Sequence, residues 1–305
     1  MIALWPVAVP HEAAAVDAAT ELTMRQIAPG VYVHQGRQED VSPANHGDVA
    51  NVGFIVGASC VAVIDTGTTL HAGEALRAAV RRATKVPVCY VINTHVHPDH
   101  IFGNAAFADD APQYVGHARL PAAMAARGAN QLHALLRELG DAAAGSTLVA
   151  PTLLVDPDRT LDLGGREIRL HAWRTAHTDN DLSVYDVQTD TWWLSDLLFV
   201  GHIPVVDGNL RGWIAVLETL ARMSPPAHVV PGHGPIDAPW TASIATERAY
   251  LDWLVHGVRG ALRDGRTMQE TVDTLGVDPN SAWLLVDTFH RRNVTAAYAE
   301  YEWED

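Results

Sequence analysis

Thr94-His95-Val96-His97-Pro98-Asp99-His100 sets three imidazoles and a carboxylate within six residues of one another. That density is typical of metal ligands. The run before it, Val86-Pro87-Val88-Cys89-Tyr90-Val91-Ile92, is short, apolar and rich in β-branched residues, so it reads as a buried strand delivering Asn93 and Thr94 to a loop. His95 and His97 are two apart and can point the same way from an extended segment, whereas Pro98 redirects the backbone ahead of Asp99 and His100. One strand-end loop can therefore feed two neighbouring ions. A solvated polar turn is the competing reading, and it weakens once distant partners are found.

Three later segments offer those partners: Ala176-His177-Thr178-Asp179, Leu194-Ser195-Asp196-Leu197 and Pro231-Gly232-His233-Gly234, each ending an apolar or aromatic stretch. With them the chain resembles the metallo-β-lactamase superfamily from about Met24 to Pro235, through an HxHxDH motif followed in order by its downstream partners. The resemblance implies His95, His97 and His177 on one metal, Asp99, His100 and His233 on the other, and Asp196 bridging them. It also implies an α/β fold, the four-layer αββα sandwich with the metals on one edge.

Composition narrows the function. The 305 residues suffice for a sizeable core, and 21 Lys+Arg against 36 Asp+Glu give a formal charge of -15 with no basic run. Such a surface repels nucleic acid, which argues for a small-molecule substrate. No apolar stretch approaches the roughly 20 residues of a membrane span. Nothing in the sequence fixes the oligomeric state. Cys60 and Cys89 both fall in predicted buried strands, where separate core thiols are the expectation and a disulfide is disfavoured.

Residues 1–22 lack the basic start and long apolar run of a secretory signal and read as an extended arm or the stub of a longer leader. From 23 to 305 a single hydrolase domain is expected, with a C-terminal helical extension. Strand hairpins are predicted over Ile27–His34 and Asn51–Asp65, and a helix over Leu70–Thr84. The loop Gly36–Ala50 interrupts them; its His46 is a candidate substrate contact but reads more readily as a solvated residue. Asp65-Thr66-Gly67 reads as a structural turn whose polar side chains cap backbone near the metal loop. His117 ends a predicted strand and can approach the site. The Ala- and Leu-rich segment that follows suggests two helices, Pro121–Arg127 and Gln131–Leu139, and the tail Asp141–Ser146 a mobile link. Farther on, His177 ends a strand over Glu167–Arg174. A capping box at Thr267 and Glu270 starts one C-terminal helix, and Asn280 can cap the last.

Imidazole and carboxylate ligands without thiolate suit two zinc ions first, with iron or manganese also compatible. The resemblance implies hydrolysis by a metal-bridging hydroxide, with Asp99 orienting it as well as binding metal. Asp196 stands where the best-known lactamase subclass has cysteine and where thioesterases and lactonases have Asp. A small ester, thioester or lactone is therefore the expected substrate. The alternatives are a β-lactamase, a metal-dependent oxygenase, or a quinoprotein-maturation partner. Within the superfamily the chain looks most like the quinoprotein relay system zinc hydrolases, through Ile92-Asn93-Thr94, Ile101-Phe102-Gly103-Asn104 and Val206-Asp207-Gly208-Asn209-Leu210-Arg211-Gly212-Trp213. That likeness implies an exported, periplasmic protein, with a cytoplasmic one as the alternative. His202, Asn209, Arg211 and Trp213 are the candidate substrate contacts, an Arg and a His there being suited to a substrate carboxylate.

Overall fold

The computed structural model describes residues 21–303. The arm expected over residues 1–22 thus falls, up to residue 20, outside the described residues. Twelve strands form two sheets, each drawn from one contiguous half of the chain. The first has the order β1 (Arg25–Ala28), β2 (Val31–His34), β3 (Val52–Val56), β4 (Val61–Ile64), β5 (Val88–Ile92), β6 (Gln113–His117) and β7 (Leu153–Val155). Its hairpins are antiparallel through β4, and β4 to β7 run parallel. The second is β8 (Asp158–Asp162), β9 (Glu167–Ala172), β10 (Leu182–Asp186), β11 (Thr191–Phe199) and β12 (His228–His233), antiparallel except for the parallel β11/β12 pair.

The sheets bury their facing sides against each other. Val33, Ile55, Ile64 and Ile92 of the first meet Ile168, Leu170, Val184 and Trp193 of the second in one cluster. The outer face of the first sheet is covered by α1 (Leu70–Ala83), which contributes Leu76, Ala79 and Val80. Thr69 caps that helix by accepting the Ala72 amide, and Arg81 and Arg82 occupy its last turn, where the helix dipole favours cations. The outer face of the second sheet is covered by α4 (Leu210–Ala221), α5 (Trp240–Arg263) and α7 (Val286–Tyr301), all packed into one core with β11. The result is the expected four-layer αββα sandwich. Arg166 ties the two sheets, its guanidinium bidentate on Asp186 at 2.9 and 2.6 Å and donating to the carbonyls of Pro29 and Val56.

Several expectations need correction. Cys60 and Cys89 are joined in a disulfide with their Cα atoms 5.6 Å apart. Val61 pairs with Val88 but Ala62 with Tyr90, so Cys89 is the extra residue of a bulge and turns toward the residue preceding β4. The segment read as two helices is one, α3 (Leu120–Leu139), because Gly128 faces Leu148 at close range and the helix packs on the metal loop through Leu120, Met124 and Leu135. The tail after it is no free link: Ala143 is buried and the Ser146 hydroxyl accepts the Leu70 amide. Thr267 and Glu270 do form the capping box of α6 (Met268–Thr274), but α7 starts at Val286, beyond the reach of Asn280. No helix among the described residues is long and apolar enough to cross a membrane.

Candidate metal centre

The centre lies where the C-terminal ends of β5, β11 and β12 open on one edge of the sandwich. After β5 the chain bends at His95 and Val96, is extended at His97, and then enters the single helical turn α2 (Pro98–Ile101), with Pro98 at its start. That turn keeps the His100 ring 4.3 Å from the His95 ring but groups its Nε2 with Asp99 and His233, which divides the donors of one short loop between two positions. Asp196 is aimed by a break in β11: Ser195 has φ 49° and the pairing with β12 shifts on either side of it. Strand β12 passes so close that a Cβ on Gly232 would fall 1.8 Å from Asp196 Oδ1, so only glycine fits beneath the carboxylate.

Two donor groups result, His95, His97, His177 and Asp196 in one, and Asp99, His100 and His233 in the other. In the first, His177 Nε2 is 3.0 Å from His97 Nδ1 and 3.3 Å from Asp196 Oδ2, which is 3.6 Å from His95 Nε2. In the second, Asp99 Oδ2 is 3.5 Å from His100 Nε2 and 3.3 Å from His233 Nε2. Asp196 reaches this group too, Oδ1 lying 3.3 Å from His100 Nε2 and Oδ2 3.5 Å from His233 Nε2. A tetrahedral ion with bonds of about 2.0–2.1 Å places neighbouring ligand atoms about 3.3–3.4 Å apart, so the spacing fits. His95 Nε2, His100 Nε2 and Asp196 Oδ1 are buried without a hydrogen-bond partner, a costly arrangement that a cation among them relieves.

The rest of each ring is held. His100 Nδ1 donates to Asp65 Oδ2 at 2.8 Å, His177 Nδ1 to the Val205 carbonyl at 2.7 Å, and His233 Nδ1 to the Val49 carbonyl at 2.9 Å. His97 Nε2 donates to Asp207 Oδ2 at 2.9 Å, and His95 Nδ1 lies 3.0 Å from the Thr94 hydroxyl. Each imidazole thus has its second nitrogen fixed and the other aimed into the centre, the arrangement that sets a ligand's tautomer. Burial holds His177 down at about 3, and therefore in the neutral form that binds metal. Burial opposes charge on Asp99 and Asp196 as well, but the neighbouring imidazoles, His100 foremost, outweigh it and keep both well below the usual carboxylate range.

Asp65, read as a structural turn, both caps the Thr94 amide and orients His100. Among the candidate substrate contacts, His202 lines the cleft above the metals, its ring centroid 5.0 Å from that of His233. The other three stand elsewhere. Asn209 caps α4 by accepting the Gly212 amide, and Arg211 lies 5.1 Å over the Tyr301 ring. Trp213 is fully buried, 5.2 Å from the His177 ring, and donates to the Leu197 carbonyl. Arg211 and Trp213 both lie on α4, and neither they nor Asn209 line the cleft. His46 is exposed and does not line it, and His117 bonds to the Trp173 carbonyl instead.

The cleft itself measures about 580 Å³. Asp99, His97, His233 and Asp196 form its floor, and α3 and α7 supply walls through Arg127, Leu135, Phe289 and Arg292. These wall residues escaped the sequence reading. Arg127, Gln131 and Leu135 do have the i, i+4, i+8 spacing of one helix face, a signal hidden by dividing α3 in two.

Comparison with known proteins accords with this architecture. Solved structures with the same fold include a metallo-beta-lactamase from Pontibacter korlensis, with TM-score 0.61 and 20% identity over 76% of this chain and 99% of that one. Another is the stereoselective inverting sec-alkylsulfatase Pisa1 from Pseudomonas sp., with TM-score 0.68 and 17% identity over 92% of this chain and 50% of that one. A third is a metallo beta lactamase from Hirschia baltica, with TM-score 0.59 and 16% identity over 76% of this chain and 97% of that one. Sequence comparison with curated proteins finds no match. The family model described as "Metallo-beta-lactamase superfamily" matches residues 47–253, a stretch that holds all seven candidate ligands, and the chain belongs to that superfamily.

Proposed function

We propose that the protein is a dinuclear, zinc-dependent hydrolase of a small ester, thioester or lactone. The observation that carries this reading is the position of Asp196, within 3.6 Å of donors in both groups and buried between them. Oδ2 lies near donors of both groups and Oδ1 near His100, a placement from which the carboxylate would offset the repulsion between two cations. Two divalent ions bound there supply a hydroxide nucleophile at neutral pH and polarise the scissile carbonyl.

The chain's own residues prepare that chemistry. Asp99 is the least buried carboxylate of the centre and faces the cleft, where it can bind metal and also accept a proton from the attacking group. Phe199, stacked on His233 at 5.1 Å and 5.5 Å from His177, closes the floor against water from below. His202 is held down to about 4 by burial and by His233, so at neutral pH it presents an uncharged ring to the cleft. The sequence likeness to the quinoprotein relay hydrolases makes that group part of the proposal, and an exported location goes with it. The Cys60–Cys89 disulfide supports an oxidising compartment.

The test is metal analysis of the purified protein coupled to turnover of a panel of esters, thioesters, lactones, β-lactams and alkyl sulfates. Two ions per chain with ester, thioester or lactone turnover is the expected result. A stoichiometry of one that zinc does not raise overturns the dinuclear reading. Preferred turnover of β-lactams or sulfates transfers the enzyme to another substrate class.

A further inference from the structure

Two guanidiniums meet beside the metal centre. Arg127 of α3 places Nη1 2.5 Å from Asp207 Oδ2, and Arg292 of α7 places Nη2 3.6 Å from Asp207 Oδ1. Asp207 is also the carboxylate that accepts His97 Nε2, so Arg127 stands two hydrogen bonds from a donor of the first metal group, and Arg292 joins the same carboxylate through an ion pair. They are the two basic side chains, apart from histidines, among the described residues lining the cleft.

One carboxylate cannot saturate two guanidiniums, each with five N–H groups. Arg127 has a second, longer contact of 3.4 Å to Asp179, which is half exposed, and the remaining donors have room for an anion. The cleft is also polarised along its length. Glu138, at the far end of α3, lies 11 residues from Arg127, about 16 Å along the helix axis. Glu39 and Asp40 are exposed on the rim, where salt limits their reach to about 8 Å. Between the poles the wall is apolar, with Leu135, Val41 and Phe289.

We propose that Arg127 and Arg292 form an anion clamp that makes the preferred substrate an organic anion, its charged group on the guanidiniums and its apolar body along Leu135 and Phe289. Arg292 and Phe289 lie on α7, beyond the residues 47–253 that match the family, whereas Arg127 and Leu135 lie within them, so the C-terminal extension supplies half of the clamp. The clamp deepens the hydrolase reading, but its binding test does not depend on turnover.

Calorimetric titration of the metal-loaded protein with phenylacetate and with neutral phenylacetamide reads the clamp directly. The expected result is a preference for phenylacetate that falls about tenfold in Arg292→Ala and further in the Arg127→Ala/Arg292→Ala pair, the loss of charge-assisted hydrogen bonds. Arg292→Lys, which keeps the charge, should retain part of it. Metal content is measured in every variant, and Arg292, with a half-exposed side chain, carries the test if Arg127→Ala disturbs the centre. No preference in the parent protein, or one unchanged in Arg292→Ala and in the pair, overturns the clamp by placing the anion on the metals alone. Clear preference without turnover of any ester overturns the hydrolase reading and leaves the clamp standing.

Discussion

Asp65 accepts a hydrogen bond from His100 at 2.8 Å with both side chains closed to water. The same carboxylate accepts the Thr94 amide and hydroxyl, each at 2.8 Å, so it locks the start of the metal loop and one of its donors together. Asp65→Asn keeps an acceptor and tolerates the φ of 53°, but loses the charge that strengthens His100 as a ligand. It should lower the affinity of the second metal by about 10–100-fold, the range typical of such partners. Competition with a chromophoric chelator checks this, and unchanged affinity would reduce Asp65 to a backbone cap.

Asp196 separates a coupled pair of ions from two adjacent ones. Asp196→Asn retains an acceptor oxygen but not the charge, so it should release at least one metal and lower kcat strongly, while His202→Ala, outside both donor groups, should leave both metals in place. Two tightly held metals with near-normal turnover in Asp196→Asn would sink the bridging assignment.

The Arg166 guanidinium has no such role and should matter to stability alone. It is 5% exposed and paired with a fully buried Asp186, so Arg166→Ala leaves a buried charge with no cation, held only by the Thr189 amide and hydroxyl, and takes a donor from two carbonyls. A loss of about 3–5 kcal/mol is expected. Urea unfolding measures it, with metal stoichiometry of the folded variant unchanged.

Glu247 gives a pH signature. It lies fully buried on α5, where Oε1 accepts the Phe199 amide at 2.9 Å and Oε2 has no partner. Burial, with Asp196 adding to it, raises this carboxyl well above its usual 4.5, against the pull of the Phe199 hydrogen bond. The native state therefore holds a proton that the unfolded chain releases. The contribution to stability is full below 4.5 and declines as pH climbs toward the raised native value. Glu247→Gln removes this slope, so the variant should gain on the parent steadily from pH 5 to pH 8.5. Urea midpoints at matched zinc concentration decide it; a difference that stays constant with pH would mean that Glu247 is ionised in the fold.

Much of this was legible in the residues because the ligands sit at strand ends, and strand ends announce themselves as apolar runs stopped by Pro, Gly or His. The HxHxDH loop, His177 and His233 were found that way, while Asp196 lies at a break inside β11 and α1 showed through its helical periodicity. Helix faces were harder to read. Two helices were expected, Pro121–Arg127 and Gln131–Leu139, but packing on Leu148 and the metal loop carries one helix through Gly128 and Asn130 despite their poor helix propensity. That misreading hid Arg127. Arg292 sits 59 residues after His233, and only the docking of α7 on α4 and α5 brings it to the cleft. Asp207 was in view within the quoted segment, but nothing local tells a turn aspartate from one that orients a distant His97. Arg211 misled for the opposite reason: proximity in sequence to Asp196 counted for less than the direction in which Asn209 starts α4.

Each sheet is made from one unbroken half of the chain, yet the donors come from both. During synthesis the first half emerges with His95, His97, Asp99 and His100, two partial sets that lack His177, Asp196 and His233. Neither set can close a shell before the second sheet has docked. Ions bound there would therefore clasp the two halves together, and chelating them should loosen that seam before it melts either sheet.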